Sequence, residues 1–357
     1  PSSGDWIVTG TESYSDQTIV LSGNLVIENG GNLTFENVRF ELNCHFDGEY
    51  NISVNPGGKF YVLDGSVITS HVPSNAYSFF VLSNSTFRMS RSELHSAGWR
   101  IPFVEEHMGL HILSDDAVVE NCLISNNSHS IFTNGDGVVI RNNNITENYE
   151  GLRIGGAALI YNNYISKNGD GIHMGGACSP TIYDNVIEYN SGSGIGIAEA
   201  TPIIRNNNIS KNAGVGINLY SHANPMILDN IITSNNNGGV TVGDHGIGTI
   251  QGNMIEKNSA GIMITDESNP TIRANYIASN EGGVLVTGSS GFVEGNTVTN
   301  HTIGIRVVGS NPTIQGNIIT ANYRGIVCGD NSKPEIHWND IYSNGHFGVH
   351  NYDPTVV

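Results

Sequence analysis

The pattern of apolar and polar positions between Val138 and Tyr352 is a repeat. Each unit has an Asn, an apolar residue two places later, a second Asn five places after the first, and then a sequence close to Gly-Ile-x-Ile. Successive units begin 20 to 23 residues apart. A fixed period of this size predicts a solenoid of stacked turns. The first Asn of each unit lies at positions 143, 163, 185, 207, 230, 253, 275, 296, 317 and 339.

Each unit contains three short alternating runs and no helical spacing of apolar residues. In the unit around Asn185, the runs at 181–183, 186–188 and 195–197 are predicted strands separated by turns. Three strands per unit predict one coil of a right-handed parallel β-helix, in which equivalent strands of successive coils pair about 4.8 Å apart. The predicted fold class is therefore all-β.

The recurring Asn residues have a structural role in such a coil. An Asn at the same corner of every coil can adopt a left-handed backbone conformation and pass side-chain hydrogen bonds to the next coil. Cys122 occupies this position one coil before Asn143, and His301 takes the second Asn position between Asn280 and Asn322. We expect an Asn ladder along an inside corner, with Cys122 and His301 as substitutes.

This repeat resembles the parallel β-helix repeat of pectate lyases, polygalacturonases, alginate-modifying enzymes and the copper-maturation proteins of nitrous oxide reductase. The resemblance covers roughly residues 115–353. It implies the fold, but not one activity, because the repeat serves lyases, hydrolases, epimerases and non-catalytic surface proteins.

Composition narrows the possible partners. The 357 residues include 15 Lys and Arg against 33 Asp and Glu, for a net charge of −18. No basic stripe is present to neutralise phosphates, so nucleic acid is not an expected partner. No apolar run reaches membrane-spanning length. Together with the family resemblance, the low Lys content predicts a secreted or cell-surface protein.

The chain is predicted to be one continuous solenoid. Residues 1–114 look like looser coils with loop insertions, and residues 115–357 like regular repeats. Because the sequence ends inside a coil, we expect either that the natural chain continues beyond Val357 or that a partner covers this end. Four scattered Cys do not predict a disulfide framework, and Cys328 takes an inward position.

The x residue of Gly-Ile-x-Ile points outward, because side chains alternate along a strand. In pectate lyases and polygalacturonases, this strand and the following turn form the substrate groove, so the resemblance implies a groove here. The outward column is His111, Phe132, Arg153, His173, Gly196, Asn218, Thr241, Met263, Leu285, Arg306, Val327 and His350.

Three carboxylates on the following turns are the catalytic candidates: Glu199, Asp244 and Asp266. Asp244 and Asp266, on adjacent coils, match the separation of about 5 Å of a retaining glycosidase. Glu199 and Asp244, two coils apart, come near the wider separation of an inverting enzyme. The candidates for substrate binding or proton transfer are Arg153, His173, Asn218, Tyr220, His222 and His245.

The same turns offer metal ligands. Asp244, Asp266 and Glu267 are candidate ligands for Ca²⁺, which would polarise a uronate carboxylate. His222 and His245 with Asp244 are candidates for a transition metal, although their spacing matches no fixed motif. No cofactor is required by the hydrolase mechanism, and Ca²⁺ is the candidate cofactor of the lyase mechanism.

Two other features are candidates for function. The insertion at 95–107 brings Glu105, Glu106 and His107 together in one loop that could form the end wall of a groove. Outward Met263, Leu285 and Val327 form an apolar column, which predicts an interface of a homo-oligomer or surface lattice.

The predicted function is an extracellular polysaccharide-active β-helix of the glycoside hydrolase or lyase type. The scarcity of basic residues favours a neutral or amino-sugar polymer over a polyuronate. The alternatives are a non-catalytic cell-surface assembly module, supported by the apolar column, and a metal-delivery β-helix.

Overall fold

The computed structural model describes residues 2–99 and 109–352 of the chain. All elements assigned in these ranges are β-strands, and the pairings between strands of successive coils are parallel. The chain divides into two compact units: Pro1–His173 with Ser179–Thr181, and Met174–Cys178 with Ile182–Val357. This division falls within the regular repeats. The boundary expected at residue 114 is a different one, because it separates looser coils from regular repeats, and it stays a prediction.

Each coil contributes one strand to a sheet that we call the groove sheet. In the first unit these strands are Trp6–Val8, Leu25–Ile27, Asn51–Val54, Ser78–Val81, Leu110–Ile112, His129–Thr133 and Glu150–Ile154. In the second unit they are Ile195–Ala198, Val215–Tyr220, Gly238–Val242, Ala260–Ile264, Gly282–Thr287, Ile303–Val308, Arg324–Gly329 and Phe347–Asn351. The strands Ile172–Met174 and Thr181–Tyr183 contain the boundary between the units.

The other strands of each coil form a second sheet, the back sheet. In the first unit its strands are Ser2–Ser3, Thr11–Ser22, Asn32–Leu42, Lys59–Leu63, Val67–Ser70, Thr86–Ser90, Glu93–His95, Val118–Glu120, Leu123–Ser125, Val139–Arg141, Asn144–Thr146, Leu159–Tyr161 and Tyr164–Ser166. In the second unit they are Val186–Glu188, Ile203–Arg205, Asn208–Ser210, Met226–Leu228, Ile231–Thr233, Thr249–Gln251, Met254–Glu256, Thr271–Arg273, Tyr276–Ala278, Phe292–Glu294, Thr297–Thr299, Thr313–Gln315, Ile318–Thr320, Glu335–His337 and Asp340–Tyr342. Three strands per regular coil are what the repeat predicts, so the all-β solenoid is confirmed.

The Asn ladder is also confirmed. Asn143 donates through its backbone N–H and Nδ2 to Oδ1 of Asn163, each at 3.0 Å, and its Nδ2 also donates to the Val119 carbonyl at 2.9 Å. Cys122 joins the ladder by donating its N–H to Asn143 Oδ1 at 2.9 Å. These bonds satisfy buried backbone groups that the corner would otherwise leave unpaired.

The expected left-handed conformation of the ladder Asn is wrong. The residue immediately before each ladder Asn adopts it: Asn142, before Asn143, has φ of 56°, and Tyr189, before Asn190, has φ of 57°. This sharp turn at the preceding residue directs the Asn side chain into the coil, where it bonds to the neighbouring coils.

The interiors of both units are apolar. Ile, Val and Leu fill the inward positions, and Phe35, Phe60, Phe79 and Phe87 add a cluster of aromatic side chains in the first unit. The four cysteines are buried and none of them forms a disulfide bond, and Cys328 lies in the core as predicted. Across the two described ranges, no helix is long and apolar enough to cross a membrane.

Candidate functional site

The outward column of the groove sheet has the predicted register within each unit. In the first unit His111 pairs with Phe132, and Phe132 with Arg153. In the second unit the register runs without a slip from Gly196 to His350. The two sets of candidate side chains therefore belong to different units, and each set is described by itself.

In the first unit, a buried carboxylate lies among two imidazoles and a guanidinium. Glu150 begins the strand that carries Arg153, and its Oε2 lies 2.7 Å from Nε2 of His129 on the preceding coil. Arg153 Nη1 lies 3.5 Å from the same oxygen, and His173 Nδ1 lies 3.3 Å from Oε1. We call these four residues the Glu150 cluster.

The charge of the Glu150 cluster is set by its surroundings. Burial alone would raise the pKa of Glu150, but the nearby His129 and His173 lower it from 4.5 to about 2. The side chain of Glu150 is only 8% exposed, whereas that of His173 is 26% and that of Arg153 is 35% exposed. The cluster therefore has an ionised carboxylate at its base and an imidazole and a guanidinium reaching solvent.

The contacts with the two imidazoles differ. His129 Nε2 donates to Glu150 Oε2 when that nitrogen carries the proton, and Ser128 Oγ lies 3.3 Å from His129 Nδ1 on the other side of the ring. Glu150 Oε1 receives no well-aligned hydrogen bond from the described residues, so the approach of His173 is mainly an electrostatic contact. His129 is thus held in place, whereas His173 lies against the carboxylate with part of its ring in solvent.

Sequence reasoning found Arg153 and His173 but missed Glu150 and His129. His129 and Glu150 pair with each other in register, and each is the first residue of its strand. This position comes immediately before the four residues of the Gly-Ile-x-Ile pattern. The equivalent positions in the second unit hold small or apolar residues such as Val215, Gly238 and Ala260, with Arg324 as a charged exception. A charged residue at this mostly small or apolar position was the signal available in the sequence.

His111 and Phe132 are outward but buried. They are 9% and 4% exposed, and their rings stack with centroids 4.5 Å apart and an interplanar angle of 24°. Phe80, on the preceding coil, adds a third ring 6.1 Å from His111. This part of the column is packed and does not offer an open platform for a ligand.

In the second unit, the predicted carboxylates lie on a stack of left-handed turns. Ser221 and His222 correspond to Asp244 and His245 on the next coil, because the His222 N–H bonds to the Asp244 carbonyl at 3.0 Å. The His245 N–H bonds in the same way to the Asp266 carbonyl at 2.9 Å. Asp244 and Asp266 thus hold equivalent positions on adjacent coils, as the retaining-pair hypothesis requires. We call this set the turn stack: Glu199, His222, Asp244, His245, Asp266 and Glu267.

The turn stack is exposed. Its six side chains are all solvent-accessible, and Asp244 Oδ2 accepts hydrogen bonds from the backbone N–H and Oγ of Ser221 at 3.1 and 3.2 Å. His222 and His245 stack with ring centroids 5.1 Å apart. Asn218 and Tyr220 are half-buried on the strand that leads into this stack. The assigned catalytic and binding roles of these residues stay predictions.

The candidate metal ligands do not converge in this arrangement. His245 Nδ1 lies 3.8 Å from Glu267 Oε2, which is an ion-pair contact. Within residues 2–99 and 109–352, no group of three or more His, Cys, Asp or Glu side chains is placed to hold a metal ion. The Ca²⁺ site at Asp244, Asp266 and Glu267 therefore stays a prediction.

The apolar outward column needs one correction. Met263 and Leu285 are half-buried, but Val327 is only 4% exposed. Val327 lines the same cavity as Arg306, Arg324 and Tyr352. It is therefore not an exposed interface residue. The loop candidates Glu105, Glu106 and His107 lie outside the described residues.

Both units thus define the chain as a β-helix protein with candidate side chains on the outward face of one sheet and on its turns. The family described as "Right handed beta helix region" matches residues 108–248 and 224–355. The chain belongs to this family, and the right-handed winding predicted from the repeat is confirmed. A search of curated proteins found no match to the sequence.

One solved structure supports the fold, and a second is reported for comparison. A variant of the periplasmic alginate epimerase AlgG is similar over 90% of this chain and 78% of its own, with 12% identity and a TM-score of 0.51. The A-module of the Azotobacter vinelandii mannuronan C-5 epimerase AlgE6 is similar over 95% of this chain and 91% of its own, with 15% identity and a TM-score of 0.42. At these identities the likeness concerns the fold alone.

Proposed function

We propose that the protein is an extracellular polysaccharide-active enzyme whose reacting groups are the Glu150 cluster. One observation carries this proposal: a buried, ionised carboxylate lies between two imidazoles beside a guanidinium, on the outward face of the groove sheet. The β-helix of the alginate epimerases supports a carbohydrate substrate by likeness of fold only.

The cluster suits proton transfer at a sugar ring. His173, with its ring partly in solvent, is the general base or acid, and ionised Glu150 lies 3.3 Å from its Nδ1. Arg153 lies beside it and provides a positive charge for the carboxylate of an acidic sugar. In the lyase reaction His173 takes the proton next to that carboxylate, and the electron pair of the C–H bond forms a C=C bond as the neighbouring glycosidic C–O bond breaks. The released oxygen takes up a proton from His173 or from solvent. His129 is a positioning residue, since it holds Glu150 Oε2.

This assignment favours an acidic sugar over the neutral polymer expected from composition. The net charge of −18 describes the whole chain, but a bound sugar interacts mainly with groups within about 8 Å, the Debye length at physiological salt. Arg153 balances the single carboxylate of the cluster, and the two imidazoles add no negative charge. Local charge therefore permits an anionic substrate.

A second candidate is a glycoside hydrolase in which Asp244 and Asp266 are the paired carboxylates. The observation that favours it is their equivalent placement on adjacent coils of the turn stack. Retaining hydrolysis needs one carboxyl as nucleophile and the other as acid and base, and both residues are accessible.

Replacing His173 by Gln is expected to lower turnover of a uronate polysaccharide by about a hundredfold or more, because general acid and base catalysis contributes that much. The assay measures both new reducing ends and unsaturated products, since only a lyase forms the latter. Circular dichroism checks that each variant is folded.

The Asp244→Asn and Asp266→Asn variants are the matched comparison. Under the lyase proposal they keep wild-type turnover. If they lose activity while His173→Gln keeps it, and the products are saturated, the hydrolase is the correct assignment. If all three variants are as active as wild type, both assignments are wrong.

A further inference from the structure

Two arginines of the second unit line one cavity on the outward side of the groove sheet. Arg306 lies in the outward column and is exposed, and Arg324 begins the strand of the next coil. Both line a cavity of about 370 Å³ whose wall also includes buried Val327, exposed Tyr352 and one carboxylate, Asp330. A neighbouring cavity of about 400 Å³ shares Arg306 and extends past Leu285.

Neither guanidinium is neutralised by the described residues. In residues 2–99 and 109–352, no carboxylate oxygen lies within 4.0 Å of a guanidinium nitrogen of Arg306 or Arg324. Arg141 and Arg153, in the first unit, each have such a partner. Arg205 and Arg273 of the second unit also have no carboxylate partner among the described residues, so Arg306 and Arg324 are distinguished by lining the same cavity.

Arg324 is constrained by its surroundings. Its Nε is buried and has no hydrogen-bond acceptor in the described structure. Its guanidinium carbon lies 5.6 Å from the ring centroid of Tyr323 and 6.0 Å from that of Tyr352. The neighbouring aromatic rings restrict the guanidinium, so less side-chain freedom is lost when a ligand binds.

We propose that Arg306 and Arg324 bind an anionic group of an acidic saccharide chain. Guanidinium groups bind carboxylates and sulfates through paired N–H donors, and both groups present oxygens in a matching geometry. The second cavity, which shares Arg306, gives room for a further sugar along the sheet. The choice of a saccharide as the carrier of the anion rests on the proposed function, whereas the anion site rests on the two arginines alone.

The test is calorimetric titration of the full chain with three oligosaccharides of matched length: a galacturonate, a sulfated galactan and a neutral glucan. Arg306→Gln and Arg324→Gln are each expected to weaken binding of an acidic oligosaccharide at least about tenfold. Arg273→Gln is the matched control, because Arg273 is an exposed arginine of the back sheet that hydrogen-bonds to Gln251. It is expected to bind as wild type does.

The oligosaccharides distinguish the source of the anion. Preferential binding of the galacturonate identifies a carboxylate, and preferential binding of the galactan identifies a sulfate. The proposal is overturned if neither binds more tightly than the neutral glucan, or if both arginine variants bind as wild type does. Turnover of a uronate polysaccharide by His173→Gln separates this result from the proposed function, because full activity of that variant contradicts the proposed function whatever the two arginine variants bind.

Discussion

Replacing Asn235 by Ala is expected to lower the free energy of unfolding by about 4 kcal/mol. Its Oδ1 accepts from the backbone N–H and Nδ2 of Asn212, at 3.1 and 3.0 Å, and its Nδ2 donates to the Ile209 carbonyl and to Asn258 Oδ1, each at 3.1 Å. The substitution removes four buried hydrogen bonds, each worth about 1 kcal/mol, and leaves buried groups on both neighbouring coils unpaired.

The next residue in the chain provides the control for this ladder prediction. Asn236 is exposed, and its backbone N–H bonds to the Asn212 carbonyl, a bond that the substitution Asn236→Ala retains. This variant is expected to stay within about 0.5 kcal/mol of wild type. Denaturant unfolding followed by circular dichroism measures both variants. Equal stabilities of the two variants would show that the ladder does not contribute as its geometry indicates.

The ladder and the strands were predictable because the sequence repeats with the coil. A position that recurs every 20 to 23 residues must occupy one place in every coil, so burial of its side chain in one coil implies burial in the others. The site of the left-handed turn was not predictable in this way. Residues as different as Tyr189, Lys211 and Trp338 adopt it, so residue type gives no signal there.

The candidate site was only partly predictable for a related reason. Alternation along a strand tells which way Arg153 and His173 point, and the structure has them on the outward side. It does not tell which outward residues are covered, and Val327 was therefore wrongly expected to be exposed. Glu150 was missed because it precedes the alternating part of the strand.

His301 is expected to make stability depend on pH between about 6.5 and 4. In the ladder its Nδ1 lies 2.9 Å from Asn322 Oδ1 and its Nε2 lies 3.3 Å from Asn280 Nδ2. A neutral imidazole with its proton on Nδ1 satisfies both neighbours, as the amide of an Asn does. Burial lowers the pKa of His301 from 6.5 to about 4, because the charged form would lose its hydration.

The sign follows from proton binding in the two states. The unfolded chain takes up the His301 proton near pH 6.5, whereas the folded chain resists it until about pH 4, so unfolding becomes more favourable as pH falls through this window. The loss amounts to about 3 kcal/mol from this residue. Above about pH 6.5 its contribution to stability is complete.

His301→Asn isolates this contribution, because it restores the residue found at the equivalent Asn280 and Asn322 and removes the titrating group. Its unfolding free energy is expected to match wild type within about 1 kcal/mol at pH 8 and to exceed it by about 3 kcal/mol at pH 4. All other titrating groups are common to both proteins, so the difference between the two pH profiles belongs to position 301. Parallel profiles from pH 8 to pH 4 would mean that the folded chain protonates His301 as readily as the unfolded chain does, and that the ladder tolerates a charged imidazole.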